Sequence, residues 1–184
     1  MRKTLGLCSA LLLGALGTAS LAQIKSFTLP DMVQTADSAV YGQITHTSVS
    51  RVDSLVDGPE LYYTTITIQG RTLADNQAIT VDVKFRGGFT SPTEGVYNSE
   101  APAADDVQLG KKVVAFYRWT NDMGGGVSGN QLVAAHGGLY RTVDGPQGPA
   151  VLGRGEGYAI GANVRLEQLA SAVHVLAAQK PAKR

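Results

Sequence analysis

A chain of 184 residues with 16 basic and 15 acidic side chains carries a formal charge of +1. That balance gives no electrostatic case for nucleic acid as a partner, because neutralising phosphates supplies most of such affinity. One cysteine excludes an intramolecular disulfide, while 43% hydrophobic residues and 22 glycines fit one domain of many strands joined by turns.

Met1-Arg2-Lys3 is a short positive start, residues 5–16 are apolar, and Ser20-Leu21-Ala22 places small residues where a signal peptidase needs them. The pattern predicts a secretory signal over residues 1–22, cleaved before Gln23. The apolar run is shorter than the roughly 20 residues that span a bilayer, so no transmembrane anchor is expected in the mature chain. Cys8 lies inside this leader behind Leu7 rather than a small residue, which argues against lipid attachment. The mature chain would then have no disulfide, no cysteine nucleophile and no cysteine-based zinc site. Loss of Arg2 and Lys3 leaves 14 basic against 15 acidic residues, a charge of −1. Residues 23–179 read as a single domain and residues 180–184 as a solvated basic tail.

Within the domain, residues 23–29 are an extended lead-in and Pro30 opens a short helical turn through Ala36, since proline is tolerated at a first helical position. Residues 39–49 are rich in β-branched and aromatic side chains and form the first long strand. Gly42 in its middle marks a bulge or a second backbone lying close. Residues 51–60, with Asp53, Asp57-Gly58 and Pro59, have the composition of a loop. Over residues 61–70, Tyr62, Thr64, Ile66 and Ile68 share one face and Tyr63, Thr65, Thr67 and Gln69 the other, a second strand. In the third, Ile79, Val81, Val83 and Phe85 alternate with Thr80, Asp82 and Lys84, so one face is wet.

Residues 87–109 hold Pro92, Pro102 and Asp105-Asp106 without a sustained period, and segments of this length inside one domain are commonly functional. Residues 111–120 place Val113, Ala115, Tyr117 and Trp119 on one face and Val114 and Phe116 on the other, which predicts a central strand buried on both sides. Residues 121–130, with Gly124-Gly125-Gly126, read as a flexible hairpin end. Residues 132–136 resume a strand, Gly137-Gly138 permits a bulge, and residues 139–143 continue to a turn with 150–152 as a short returning partner. Then the period changes. Leu166, Leu169, Ala170, Val173, Leu176 and Ala177 make one stripe of an amphipathic helix, with Asn163 as its N-cap, packed on the barrel.

Candidate chemistry is sparse. His46, His136 and His174 have no second ligand type at metal-like spacing and read as structural. Gly126-Val127-Ser128-Gly129 lacks the spacing of a nucleophile elbow, and the glycines from Gly153 to Gly157 lack that of a dinucleotide loop. Asp53, Asp57 and Glu60, or Glu100 with Asp105-Asp106, do not follow a calcium-loop pattern and read as solvated acidic loops. Neither a catalytic residue, a metal nor a cofactor is assigned. Tyr62, Tyr63, Tyr97, Tyr117, Trp119 and Tyr140 are the side chains most able to supply a recognition surface, because aromatics bury area at low entropy cost. Core and cross-strand packing is the competing role for each.

Three stretches carry a resemblance: Ala36-Asp37-Ser38-Ala39-Val40-Tyr41-Gly42-Gln43-Ile44, Arg86-Gly87-Gly88, and Leu109-Gly110-Lys111-Lys112-Val113-Val114-Ala115-Phe116. There the chain resembles a group of uncharacterised exported bacterial proteins with an Ala-Asp-x-Val-x-Gly-x-Val opening and a later Gly-x-x-Val-x-x-Phe strand. More distantly, the order of features over residues 31–143 resembles the OB-like barrel of netrin and tissue-inhibitor-of-metalloproteinase domains. Tissue inhibitors chelate a protease metal through an N-terminal cysteine, which the mature chain lacks, so that activity does not carry over. The Lys-Gly usual after the second strand is replaced here by Thr72-Leu73-Ala74-Asp75-Asn76.

The expectation is a mainly β, partly closed antiparallel OB-like barrel of five or six strands with a C-terminal helix. Its function would be that of a non-enzymatic binding module exported to the periplasm, cell envelope or medium. Residues 51–60, 87–109 and 121–130 would meet a protein or envelope component. The alternatives are a hydrolase of envelope polymer using loop carboxylates, and a structural envelope protein assembling through sheet edges.

Overall fold

A computed structural model describes residues 27–181. The leader at residues 1–22, Cys8 and residues 182–184 of the basic tail lie outside the described residues. Strand outweighs helix, 48% to 17%, and the expected mainly β class holds.

The chain enters through helix α1, Leu29–Thr35. Thr28 caps it: its hydroxyl accepts from the Asp31 N–H at 3.3 Å and Asp31 accepts from the Thr28 N–H at 3.2 Å, satisfying two orphan donors of the first turn. Strands β1 (Ser38–Ser54), β2 (Gly58–Thr72) and β3 (Ala78–Arg86) form an antiparallel meander, and β6 (Lys112–Thr120) and β7 (Gly129–Leu132) complete the barrel. The order is β1-β2-β3-β7-β6, with β6 pairing back onto β1 from Ser38↔Tyr117 to Gln43↔Lys112. The five strands therefore close fully rather than in part. Closure requires one departure from an antiparallel sheet, the parallel contact of β3 with β7 at Val83↔Asn130. From β6 the sheet continues outward through β8 (Leu139–Gly145), β9 (Gly148–Val151) and β10 (Val164–Arg165) into helix α2, Leu166–Ala178. A separate hairpin, β4 (Gly88–Ser91) and β5 (Glu94–Val96), lies within residues 87–109.

Strand β6 is central, as its two apolar faces require. Val113, Ala115 and Tyr117 point into the barrel with Val40, Ile66 and Val83. Val114 and Phe116 point outward, where Met32 of α1, Tyr140 of β8, and Leu169 and Val173 of α2 cover them. Phe116 meets Tyr140 edge to face, ring centroids 6.3 Å apart. The stripe read on α2 is the face that packs there: Leu169 and Val173 are buried, and Leu166, Ala170, Leu176 and Ala177 flank them. Each large side chain so buried contributes about 1.5–3 kcal/mol.

Three boundaries differ from the sequence reading. Residues 51–60 are not a loop, because β1 and β2 stay paired from Val52↔Leu61 to Ser54↔Gly58 and turn at the hairpin tip. Residues 132–136 do not remain a strand: Ala134 and Ala135 take left-handed backbone, and a 3-10 turn, Ala135–Gly138, reaches β8. Asn163 does not cap α2, since Val164 and Arg165 pair as β10 with β9 and the helix begins after them. The Asn163 side chain instead accepts from the Gly153 N–H at 2.9 Å.

Candidate functional site

The aromatic residues separate by environment. Tyr63 and Tyr140 are fully enclosed, at 1% and 0% exposure, and offer no contact surface. The Tyr63 hydroxyl is shared between the carbonyls of Met123 and Gly124 at 2.9 and 3.0 Å, and burial pushes its pKa up. The Tyr140 hydroxyl accepts from the Ile160 N–H, and burial raises its pKa likewise. Tyr62 is buried and Tyr117 faces the barrel interior. Trp119 is half-exposed near the end of β6, its indole N–H on Asn121 Oδ1 at 2.9 Å. Tyr97, directly after β5, is 81% exposed.

Tyr97 stands on the rim of a cleft of about 980 Å³. Its position follows from strand lengths. The pairing of β1 with β6 ends at Gln43↔Lys112, so beyond Ile44 β1 runs on with β2 past one end of the barrel as a ribbon, joined by β3 as far as Tyr63↔Arg86 and two-stranded from there to the hairpin tip. Residues 87–109 cross that same end between β3 and β6. Thr47, Val49 and Thr64 of the ribbon form one wall, the β4–β5 hairpin and Tyr97 a second, and Pro102 to Leu109 a third. Phe85 and Val107, both part of the barrel core, form its floor. Phe89, Val96, Tyr97 and Leu109, four of the large apolar side chains left exposed, all line it.

The walls are fastened by polar contacts. The Thr64 hydroxyl donates to the Gly87 carbonyl at 2.6 Å, and the Thr47 hydroxyl donates to that of Val107 at 3.1 Å. His136 accompanies the third wall: its backbone N–H donates to the Glu100 carbonyl at 2.8 Å and its Nε2 lies 2.9 Å from the Tyr158 hydroxyl. The second wall hangs on Glu94, whose carboxylate accepts from Arg51 Nη1 and from the Tyr62 hydroxyl, each at 3.2 Å. The Arg51 guanidinium, ahead of the Tyr62 hydroxyl, holds Glu94 below the usual carboxylate range. Burial and the Glu94 charge raise Tyr62. Arg51 also bonds Asp53, whose pKa is lowered first by the Glu60 N–H and then by Arg51. At the inner edge of the cleft, Arg154 and Arg141 converge on the buried carboxylate of Asp106, at 3.2 and 3.3 Å.

No family model, curated protein or solved structure matches the chain.

Of the three segments expected to meet a partner, residues 87–109 build the cleft. Residues 121–130 are tied down: the Met123 carbonyl accepts from Arg86 Nε at 3.0 Å and the Gly125 N–H donates to Asp57 at 2.7 Å. Among the described residues no group of three or more His, Cys, Asp or Glu could hold a metal ion, and no helix is long and apolar enough to cross a membrane. Phe89, Val96 and Leu109 escaped the sequence reading because they sit in a stretch without a period. The available signal was their chemistry, large apolar residues inside a segment of Pro, Gly, Asp and Asn.

Proposed function

We propose that this chain is a non-catalytic binding module, exported to the cell envelope or medium, that holds an apolar ligand in the cleft at the end of the barrel. One observation carries the reading: Phe89, Val96, Tyr97 and Leu109 are exposed singly, yet all face the same concavity. Exposed apolar surface gathered in one place marks interaction sites, and sites for small ligands occupy about 300–1,000 Å³ of mostly apolar concavity, often at the mouth of a barrel. The rigid barrel below and the fastened walls support a preformed site. The chemistry of the carboxylate that fastens the second wall points the same way. Glu94 is paired and held ionised, whereas a general acid in a polymer hydrolase needs its pKa raised.

The test uses N-phenyl-1-naphthylamine, a neutral apolar dye that fluoresces when taken from water. Purified protein should enhance its emission saturably. Val96→Glu and Leu109→Glu, both at open positions where substitution perturbs stability little, should weaken dye binding by about tenfold or more. Val175→Glu, exposed on α2 outside the cleft, should leave it unchanged. No saturable enhancement, or equal enhancement by the cleft variants, would overturn the reading.

A further inference from the structure

The walls of the cleft leave one chemical asymmetry. Its lining mixes apolar side chains with the neutral polar ones of Thr47, Thr64, Asn98, Ser99 and Gln108, and among the lining residues Arg154 alone brings a guanidinium, ammonium or carboxylate. The Arg154 guanidinium is fixed in orientation: Nε donates to the Leu139 carbonyl at 3.0 Å, Nη2 to Asp106 at 3.2 Å, and the plane lies 5.9 Å from the Tyr140 ring centroid. Its remaining terminal nitrogen, Nη1, makes no hydrogen bond among the described residues. Arg141 reaches the other oxygen of the same carboxylate at 3.3 Å. Two guanidinium groups thus share one carboxylate, and a single positive charge is left over. Arg154 also lines a smaller polar recess of about 280 Å³ with Arg141 and Tyr158, so the cation stands where the apolar cleft passes into polar surroundings.

Resting on the binding role proposed above, we infer that the ligand is a single-chain amphiphile with an anionic head, its apolar chain along Phe85, Phe89, Val96 and Leu109 and its head on Arg154. A half-buried guanidinium attracts an anion more strongly than one in open water, and its planar fork suits a carboxylate or phosphate oxygen pair. An extended peptide fits less well. A peptide brings backbone groups that need partners when buried, and the Gly87 and Val107 carbonyls on the walls already accept from Thr64 and Thr47. An alkyl chain makes no such demand.

The experiment compares heads on one chain length against the intact protein: decanoate, decyl phosphate, decanol and decylamine, each displacing N-phenyl-1-naphthylamine. Decanoate or decyl phosphate should bind about tenfold or more tighter than decanol, with decylamine weakest, and the stronger of the two anions identifies the head. Arg154→Gln should bring the anions down to the level of decanol, while Arg154→Lys should restore part of the difference. Thermal unfolding of each variant reports whether it is folded, and the ranking in the unsubstituted protein tests the inference without any variant. If all four compounds compete equally, the anionic head is wrong and the apolar cleft stands. If the dye binds and none displaces it, the amphiphile is wrong. If nothing binds, the cleft reading and this inference fall together.

Discussion

Gly42 and Gly70 face each other across β1 and β2, and neither tolerates a side chain, for the same reason. A Cβ on Gly42 would come within 3.0 Å of the Gln69 backbone, and one on Gly70 would meet the Tyr41 carbonyl as closely. These are backbone atoms of a barrel strand, which cannot rotate away as a long side chain can. Gly42 also lies in the stretch from Val40 to Gln43 where β1 is paired on both sides at once, here with Gly70 in β2 and with Val113 in β6. Such close approach is what an isolated glycine in a strand marks, and the sequence placed it correctly at Gly42. Gly70→Ala should lower stability by about 1–3 kcal/mol or more, the usual cost of overpacking, seen as a shift of the urea midpoint with little change in slope. A midpoint within error of the parent protein would show that the two backbones can separate without loss.

The element on which the site depends most is the β4–β5 hairpin, because it forms a wall of the cleft yet belongs to neither core cluster. Its attachment to the ribbon is the Arg51–Glu94–Tyr62 contact and the close seat of Gly88 against Thr64 and Val49. Glu94 is held below its ordinary pKa by Arg51, so its ionised form favours the docked hairpin. The sign follows directly. The contribution is fully present above the unfolded-state value of about 4.3 and is lost as pH falls through the lower folded-state value. Amide exchange in β4 and β5, corrected for intrinsic rates, should therefore accelerate severalfold between about pH 6 and about pH 3 relative to amides of β3. Glu94→Gln should loosen the hairpin at both pH values and remove the difference, and an unchanged ratio in the parent protein would exclude Glu94 as the fastening. Elements of this kind were the least legible in the sequence. The barrel strands and α2 announced themselves because each has one or two faces in a core, and the core imposes the period. The outer half of β1 is harder to read: past Ile44 Thr45, His46, Ser48 and Ser50 are exposed, and the opposite face is only half-buried, at Thr47 and Val49, which line the cleft and not a core. Asp53, Asp57-Gly58 and Pro59 then look like a loop although most of them lie in or beside paired strands. The cleft was legible only as a segment. Nothing local in residues 87–109 told Tyr97, which stays open, from Tyr62, which the hairpin covers, because that difference is made by residues far away in sequence.

For the molecule as a whole, the decisive arrangement is that both hydrophobic clusters are built on one strand. Val113, Ala115 and Tyr117 belong to the barrel interior, and Val114 and Phe116 to the layer under α1 and α2, so alternate residues of β6 serve different cores. Neither cluster keeps its shape if β6 leaves the sheet, and β6 is held by β1, β7 and β8 together. The helical layer and the barrel should therefore unfold as one unit, as single domains of this size usually do. Leu169→Ala, a truncation at the centre of the helical layer and outside the barrel, should cost about 2–5 kcal/mol. The test is whether far-ultraviolet circular dichroism and the near-ultraviolet signal of the aromatic residues keep a common denaturant midpoint while both move down. Separate midpoints, with the helix melting first and the barrel unmoved, would mean that β6 does not couple the two layers. The cleft would then rest on the barrel alone, and its floor at Phe85 and Val107 would keep its place after α2 had come away.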